Sequence, residues 1–306
     1  MCVSYSLRLA SGQEWYLTAT NDTLSWLQKL ASSMRLSLCD KSEVPNLIFV
    51  RSSSFEKLGS PPLEYIDNFI SPALPDRGWI HHFIGEKDSF FQFWTHPDSL
   101  HFICDIGAEG GHYKDISMSW RTLLLIYEHE IMSGGIPVHT AFIGCDKAGV
   151  ILPAEGNTGK STCCFRVPSP WRCMCDDEAL IVADRYGNYM AHPFPTWSEF
   201  FSNEFQKSWD VQQYLSLRAI FFLEQSSIDV ATKINYGQAA VLITKLSAPI
   251  LTHNWRSMDK DKRNVHKQKL IDNAFKIAKS VPAFKLKFTK DGQFWKEIEK
   301  TLEKIQ

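Results

Sequence analysis

The sequence predicts a mixed α/β fold, with a smaller α+β domain over about residues 1–130 and a larger domain, built around a glycine-rich loop, over about 131–306. Three observations carry this. Short apolar runs with β spacing fill the first part around one helix-spaced segment. An apolar strand, GVIL, then runs into PAEGNTGKST, where a strand should become a helix. Beyond that loop, strand-like runs alternate with turns before two lysine-rich helical segments.

The composition sets the outer limits. A chain of 306 residues that is 44% hydrophobic can bury one large core or two modest ones. Lys+Arg 33 against Asp+Glu 34 gives a formal charge of -1, so no overall charge favours nucleic acid or an acidic membrane. The opening residues MCVSYSLRLASGQEW lack the apolar core of a signal peptide, and no run approaches the roughly 20 apolar residues of a membrane span. The expectation is a soluble cytoplasmic protein. Its 8 Cys lack the C-x2-C pairing of a zinc site, since Cys163-Cys164 and Cys173-x-Cys175 are spaced otherwise, and reduced structural thiols are expected.

In the first domain the strands are YSLRLA, NLIFV, WIHHFIG, SFFQFWT and SLHFICDIG, and TLSWLQKLASSM is a helix with Thr23 as its cap. Phe90, Phe91, Phe93 and Trp94 read as cross-strand packing, because no basic residues interleave with them as in a base-stacking surface. His81, His82, His96, His101 and His112 are scattered over strands and turns and read as surface or satisfied residues. A helix follows over SMSWRTLLLIYEHEIMSGG, stopped by Gly134-Gly135.

The second domain opens with IPVHTAFIG and GVILPA, paired about the turn CDKAG. RCMCDDEALIVAD and YMAHPFP read as two strands about RYGN, and YLSLRAIFFLEQ as another; INYGQAAVLITKL suits either helix or strand. A charged linker MDKDKRN precedes a helix VHKQKLIDNAFKIAKS, a strand AFKLKF and a closing helix QFWKEIEKTLEKIQ. From His253 onward basic residues outnumber acidic ones by about two to one, in the pattern of solvated helix faces.

The loop carries the chemistry. A nucleoside triphosphate needs inward-pointing backbone N–H groups, a cation reaching the β and γ oxygens, and a hydroxyl on Mg2+; the P-loop pattern G-x-x-x-x-G-K-[ST] supplies all three. Here it reads Ala154, Glu155, Gly156, Asn157, Thr158, Gly159, Lys160, Ser161, with alanine in place of the first glycine. The lysine falls where a helix STCCFRV begins, so dipole and free N–H groups favour an anion. ATP is therefore expected, with Lys160 on the phosphates, Ser161 on Mg2+, and the N–H groups of Gly156 to Thr162 as the cradle.

Pro137-Val138-His139 begins the strand before the loop, and Cys175-Asp176-Asp177-Glu178 follows soon after it. With GIPVHTAFIGCDKAGVILPAEGNTGKST, this order of histidine, strand, turn, strand and loop resembles the catalytic domain of HPr kinase/phosphorylase, whose P-loop is related to that of phosphoenolpyruvate carboxykinase. The resemblance covers about residues 135 to 250 and implies a mixed-sheet P-loop kinase domain of the HPr kinase type. It implies that Asp177 is the base for an acceptor hydroxyl, that His139 holds or tunes it, and that Asp176 contacts Mg2+ or its waters; the other reading of Asp176-Asp177 is a turn pair between two strands. By spacing Glu199 is a second Mg2+ carboxylate, or equally a first-turn helix acid after Ser198. Arg218 is either within reach of a transferring phosphoryl group or a strand-end surface residue. The family's glutamate within a leucine-, arginine- and glycine-containing motif is missing, which counts against phosphorolysis and against HPr as substrate. PAEGNTGKST, CDDEALI, HPFPTWSEF and LRAIFFLEQ together look most like the SynChlorMet cassette protein C group, which implies peptide maturation beside radical-SAM enzymes and a small peptide-binding partner.

Two functions from different classes fit. One is a kinase that moves the γ-phosphoryl of ATP to a Ser or Thr hydroxyl of a peptide or protein, or to a small-molecule alcohol. The other is a nucleotide-responsive interaction module without transfer, which a chain with only the loop would favour. No N-K-x-D motif points to guanine. The first domain is a candidate for recognising the acceptor or a partner, and homo-oligomerisation is left open.

Overall fold

The computed structural model describes residues 3–39, 46–52, 59–66, 74–86, 89–197 and 207–305. In the first part, β1 (Val3–Arg8) and β2 (Glu14–Ala19) form a hairpin with Val3 opposite Ala19. Helix α1 (Leu24–Met34) carries the chain over to β4 (Leu47–Val50), parallel to β2, while β3 (Ser37–Leu38) edges β1. A second hairpin, β5 (Ile80–Glu86) and β6 (Ser89–Thr95), leads to β7 (Phe102–Asp105), parallel to β4. The sheet order is β3-β1-β2-β4-β7-β6-β5. Phe91 and Trp94 are fully buried, in keeping with packing.

The expected cap of α1 does not act as one. Thr23 is N-terminal to the helix, but its hydroxyl bonds the carbonyls of Thr20 (3.1 Å) and Phe49 (3.0 Å), so β4 has captured the group that would otherwise cap the helix.

Helix α2 (His112–Ser133) begins ahead of the expected Ser117 and ends where expected, at Gly134 with φ 107. That left-handed conformation suits glycine, which has no Cβ to clash. The second sheet contains β8 (Ile136–Cys145), β9 (Ala148–Pro153), β10 (Arg172–Cys175), β11 (Glu178–Ala183), β12 (Tyr189–Phe194), β13 (Leu215–Gln225), β14 (Val230–Lys233) and β15 (Ala283–Phe288). Its pairing closes on itself: β8 pairs with β11, β11 with β12, β12 with β13, β13 with β9, and β9 with β8. β15 and β14 extend the sheet beyond β13.

The second part also holds helices α3 (Lys160–Arg166), α4 (Tyr236–Ser257), α5 (Lys260–Ser280) and α6 (Phe294–Glu303). The ambiguous INYGQAAVLITKL is helical because Asn235 and Gln238 form a reciprocal cap: the Asn235 side chain accepts from the Gln238 N–H at 2.9 Å, and the Gln238 side chain accepts from the Asn235 N–H at 3.4 Å. The expected linker MDKDKRN is largely the start of α5, since Asp259 accepts from the Lys262 N–H at 2.8 Å and caps it. RCMCDDEALIVAD is two strands, broken by a bend at Asp176 and Asp177. Two adjacent carboxylates cannot both enter a buried ladder without large desolvation cost, so the break falls on them.

One apolar cluster runs through both sheets, taking in Leu17 and Phe49, Leu124 and Tyr127 of α2, and Ile220 and Leu251. Polar ties cross the same boundary: the Ala10 N–H donates to His192 Nε2 at 3.0 Å and the Gly85 N–H to Ser257 Oγ at 3.0 Å. Where reduced thiols were expected, Cys164 of α3 is joined to Cys173 of β10, because that strand passes alongside the helix with the two Cα atoms 5.1 Å apart. Among the described residues no helix is long and apolar enough to cross a membrane.

Candidate active site

The loop leaves the end of β9 at Ala154 and enters α3 at Lys160. Asn157 and Gly159 take positive φ, 62 and 104, which turns the chain tightly enough to bring its last residues back over the strand end. At Gly159 a Cβ would be strained by that φ and would meet the Phe288 ring at 3.2 Å. Lys160 is buried, and its ammonium donates to the carbonyls of Ala154 (3.2 Å) and Glu155 (3.1 Å). Ser161 and Thr162 are exposed at the start of the helix. From β13, the Gln225 side chain donates to the Thr158 carbonyl at 3.2 Å and ties the loop to the sheet.

Across β8 from the loop lies the bend of Asp176 and Asp177. Thr140 of β8 pairs with Pro153 on one side, and on the other its N–H donates to the Asp177 carbonyl at 2.8 Å. The loop's origin and the bend are therefore about two strand spacings apart, roughly 10 Å. His139 Nε2–H donates to Asp177 Oδ1 at 3.0 Å, both side chains being about one-third exposed. Asp176 is buried and accepts from the Thr196 hydroxyl at 2.5 Å. Burial pulls the Lys160 ammonium below its ordinary value, and Asp177 and then Asp176 pull it back up. One basic and two acidic groups thus share one electrostatic neighbourhood on either side of a single strand.

Behind the bend, Glu178 is buried and accepts a hydrogen bond from the Tyr127 hydroxyl of α2. Burial raises its carboxyl to about 8, against the Tyr127 hydrogen bond and with help from Asp177. This carboxyl was missed in the sequence, although its place beside Ala179 and Leu180 at the start of an apolar strand was the available signal. At the loop's other flank Lys245 Nζ of α4 lies 2.5 Å from Glu155 Oε1, a pairing with no local signal in the sequence. Glu199 lies outside the described residues. Arg218 is not beside the loop: it lines a surface cleft with Tyr189 and Pro282, whereas the loop adjoins the Phe222–Gln225 end of β13.

The donor set fits a nucleotide with Mg2+. Among the described residues the buried Lys160 ammonium is held through main-chain carbonyl contacts, which an anion at the loop mouth can replace, and the Ser161 hydroxyl and Asp176 carboxylate are hard oxygen donors of the kind Mg2+ takes. Among the described residues no group of three or more His, Cys, Asp and Glu could hold a metal ion, which is ordinary for Mg2+ at phosphates, where one or two protein oxygens suffice.

Residues 102–303 match the family described as SynChlorMet cassette protein ScmC. No curated protein matches the chain. Among solved structures, the HPr(Ser) kinase/phosphatase from Coxiella burnetii aligns with 55% of this chain and 88% of its own, at 12% identity and a TM-score of 0.28. That likeness is too loose to carry chemistry.

Proposed function

The chain belongs to the SynChlorMet cassette protein ScmC family, and from the site it carries we propose an ATP-dependent kinase that transfers the γ-phosphoryl group to an alcohol hydroxyl, on a Ser or Thr of a peptide or protein. The observation that supports it most is the placement of Asp177, braced by His139 and electrostatically coupled to Lys160, across one strand from the loop.

Each residue then has a physical task. Bound ATP and Mg2+ supply the activated phosphoryl group and a divalent charge on its oxygens. Lys160 turns its ammonium from the loop carbonyls toward the phosphates, the backbone N–H groups of Gly156 to Thr162 hold phosphate oxygens, and Ser161 and Asp176 are the groups that would hold Mg2+. Asp177 accepts the proton of the incoming hydroxyl, and the His139 N–H fixes the carboxylate so that a free oxygen faces the acceptor. Thr196 keeps Asp176 from turning away. The setting proposed is peptide maturation in the cytoplasm, with a ribosomal peptide as acceptor and radical-SAM cassette proteins as partners.

Incubation with γ-labelled ATP, Mg2+ and candidate peptides tests this. Label should reach the peptide with the wild type and be lost with Lys160→Ala and Asp177→Asn, while ATP binding weakens mainly in Lys160→Ala. Wild-type protein that binds ATP and labels no peptide, protein or alcohol would replace the kinase with a nucleotide-responsive module.

A further inference from the structure

The loop has two flanks, and the catalytic reading uses only one. β9 pairs with β8 on one side and with β13 on the other, and the Asp177 bend belongs to the β8 side. On the β13 side a cleft of ≈ 390 Å³ opens between the loop, the end of β13 and α4. Leu242, Lys245 and Leu246 line it from one face of α4, as i, i+3 and i+4 positions should. Phe222 closes it from the strand, and Glu155, Asn157 and Thr158 are at once cleft wall and phosphate loop.

We propose that this cleft takes the nucleoside of the bound nucleotide, its base against Leu242, Leu246 and Phe222, with the Lys245–Glu155 pair at the rim. The proposal rests on the phosphate-loop reading of residues 154–162 and deepens it. Three features favour a nucleoside here. The volume lies within the roughly 300–1,000 Å³ of small-molecule sites. Its lining joins an apolar wall to a polar, charged rim, which suits a flat base carrying a hydroxylated sugar. Its position fixes direction: with triphosphate in the loop and the nucleoside toward β13, the terminal phosphoryl group is left to point toward β8 and Asp177, so that donor and acceptor approach from opposite flanks.

The test separates nucleoside from phosphate recognition. Calorimetric titrations of the full chain with ATP and with inorganic tripolyphosphate, both with Mg2+, are compared for wild type and Leu242→Trp, which fills the cleft from its half-buried rim. The expected result is at least a tenfold loss of ATP affinity with tripolyphosphate affinity unchanged, the latter also showing that the variant is folded. Unchanged ATP affinity would overturn the inference by placing the nucleoside elsewhere. An equal loss of both ligands would overturn it as well, because the cleft would then act only through the loop. If wild type binds neither ligand, the phosphate-loop reading itself fails and the inference falls with it.

Discussion

His139 Nε2 and Asp177 Oδ1 are 3.0 Å apart, joined from a strand on one side and a bend on the other. A hydrogen bond of that kind fixes the direction of the base's remaining lone pairs. His139→Ala removes the brace and leaves the carboxylate. The expected outcome is a fall in the phosphoryl-transfer rate of roughly tenfold to a hundredfold, smaller than the 10²–10⁴ associated with loss of a general base outright. ATP affinity should stay within about threefold. Single-turnover kinetics beside Asp177→Asn check this, and a His139→Ala defect confined to ATP binding would contradict it.

Tyr127 and Glu178 form the polar contact that joins α2 to the strand behind the bend. Tyr127→Phe keeps the ring, whose centroid lies 5.3 Å from that of Phe194, and removes only the donor. A buried acceptor left without its partner costs about 1–3 kcal/mol, and that loss should appear as a lower midpoint in urea with an unchanged slope. A variant as stable as wild type would mean that the carboxyl has found another donor.

His192 gives the pH dependence. The side chain is fully buried, its Nδ1–H donates to the Val211 carbonyl at 2.6 Å, and its Nε2 accepts from the Ala10 N–H at 3.0 Å. A proton on Nε2 would face another donor. Burial pushes the ring down to about 4, against the Val211 hydrogen bond, while the unfolded chain titrates near 6.5. Between those values the unfolded state binds the extra proton, so stability from this residue is complete above pH 6.5 and drains away as pH falls toward 4, by roughly 3 kcal/mol in all. Urea unfolding at steps from pH 7 to 4.5 should show the advantage of wild type over His192→Gln shrinking with acidification; a constant difference would count against it.

The parts of the site that could be read in the sequence are those whose signals are local. Glycine at a turn, lysine at a helix start and an apolar strand before them lie within one dozen residues, so the loop and α3 fall where PAEGNTGKST places them. The remainder depends on what packs against what. Thr23 has a capping residue's chemistry, yet the Phe49 carbonyl reaches it first. The capping pair Asn235 and Gln238 is present in the sequence, but an apolar run beside it fits a strand equally well until the helix is seen against α5 and β5. Lys245 meets Glu155 only because α4 passes the loop after the whole sheet has closed. The Asp176–Asp177 bend is legible as a turn pair in composition, whereas its position opposite Thr140 is a matter of register.

That register has a further consequence. Thr140 faces Pro153 along one edge of β8 and Asp177 along the other, so the strand works as the common datum for the origin of the loop and for the bend. An inserted residue between His139 and Thr140 would leave the loop seated and yet carry the imidazole to the opposite face of the sheet, since alternate residues point oppositely. Changes of length can accumulate in the segments that lead away from this strand, but within it even one added position would uncouple the histidine from the carboxylate.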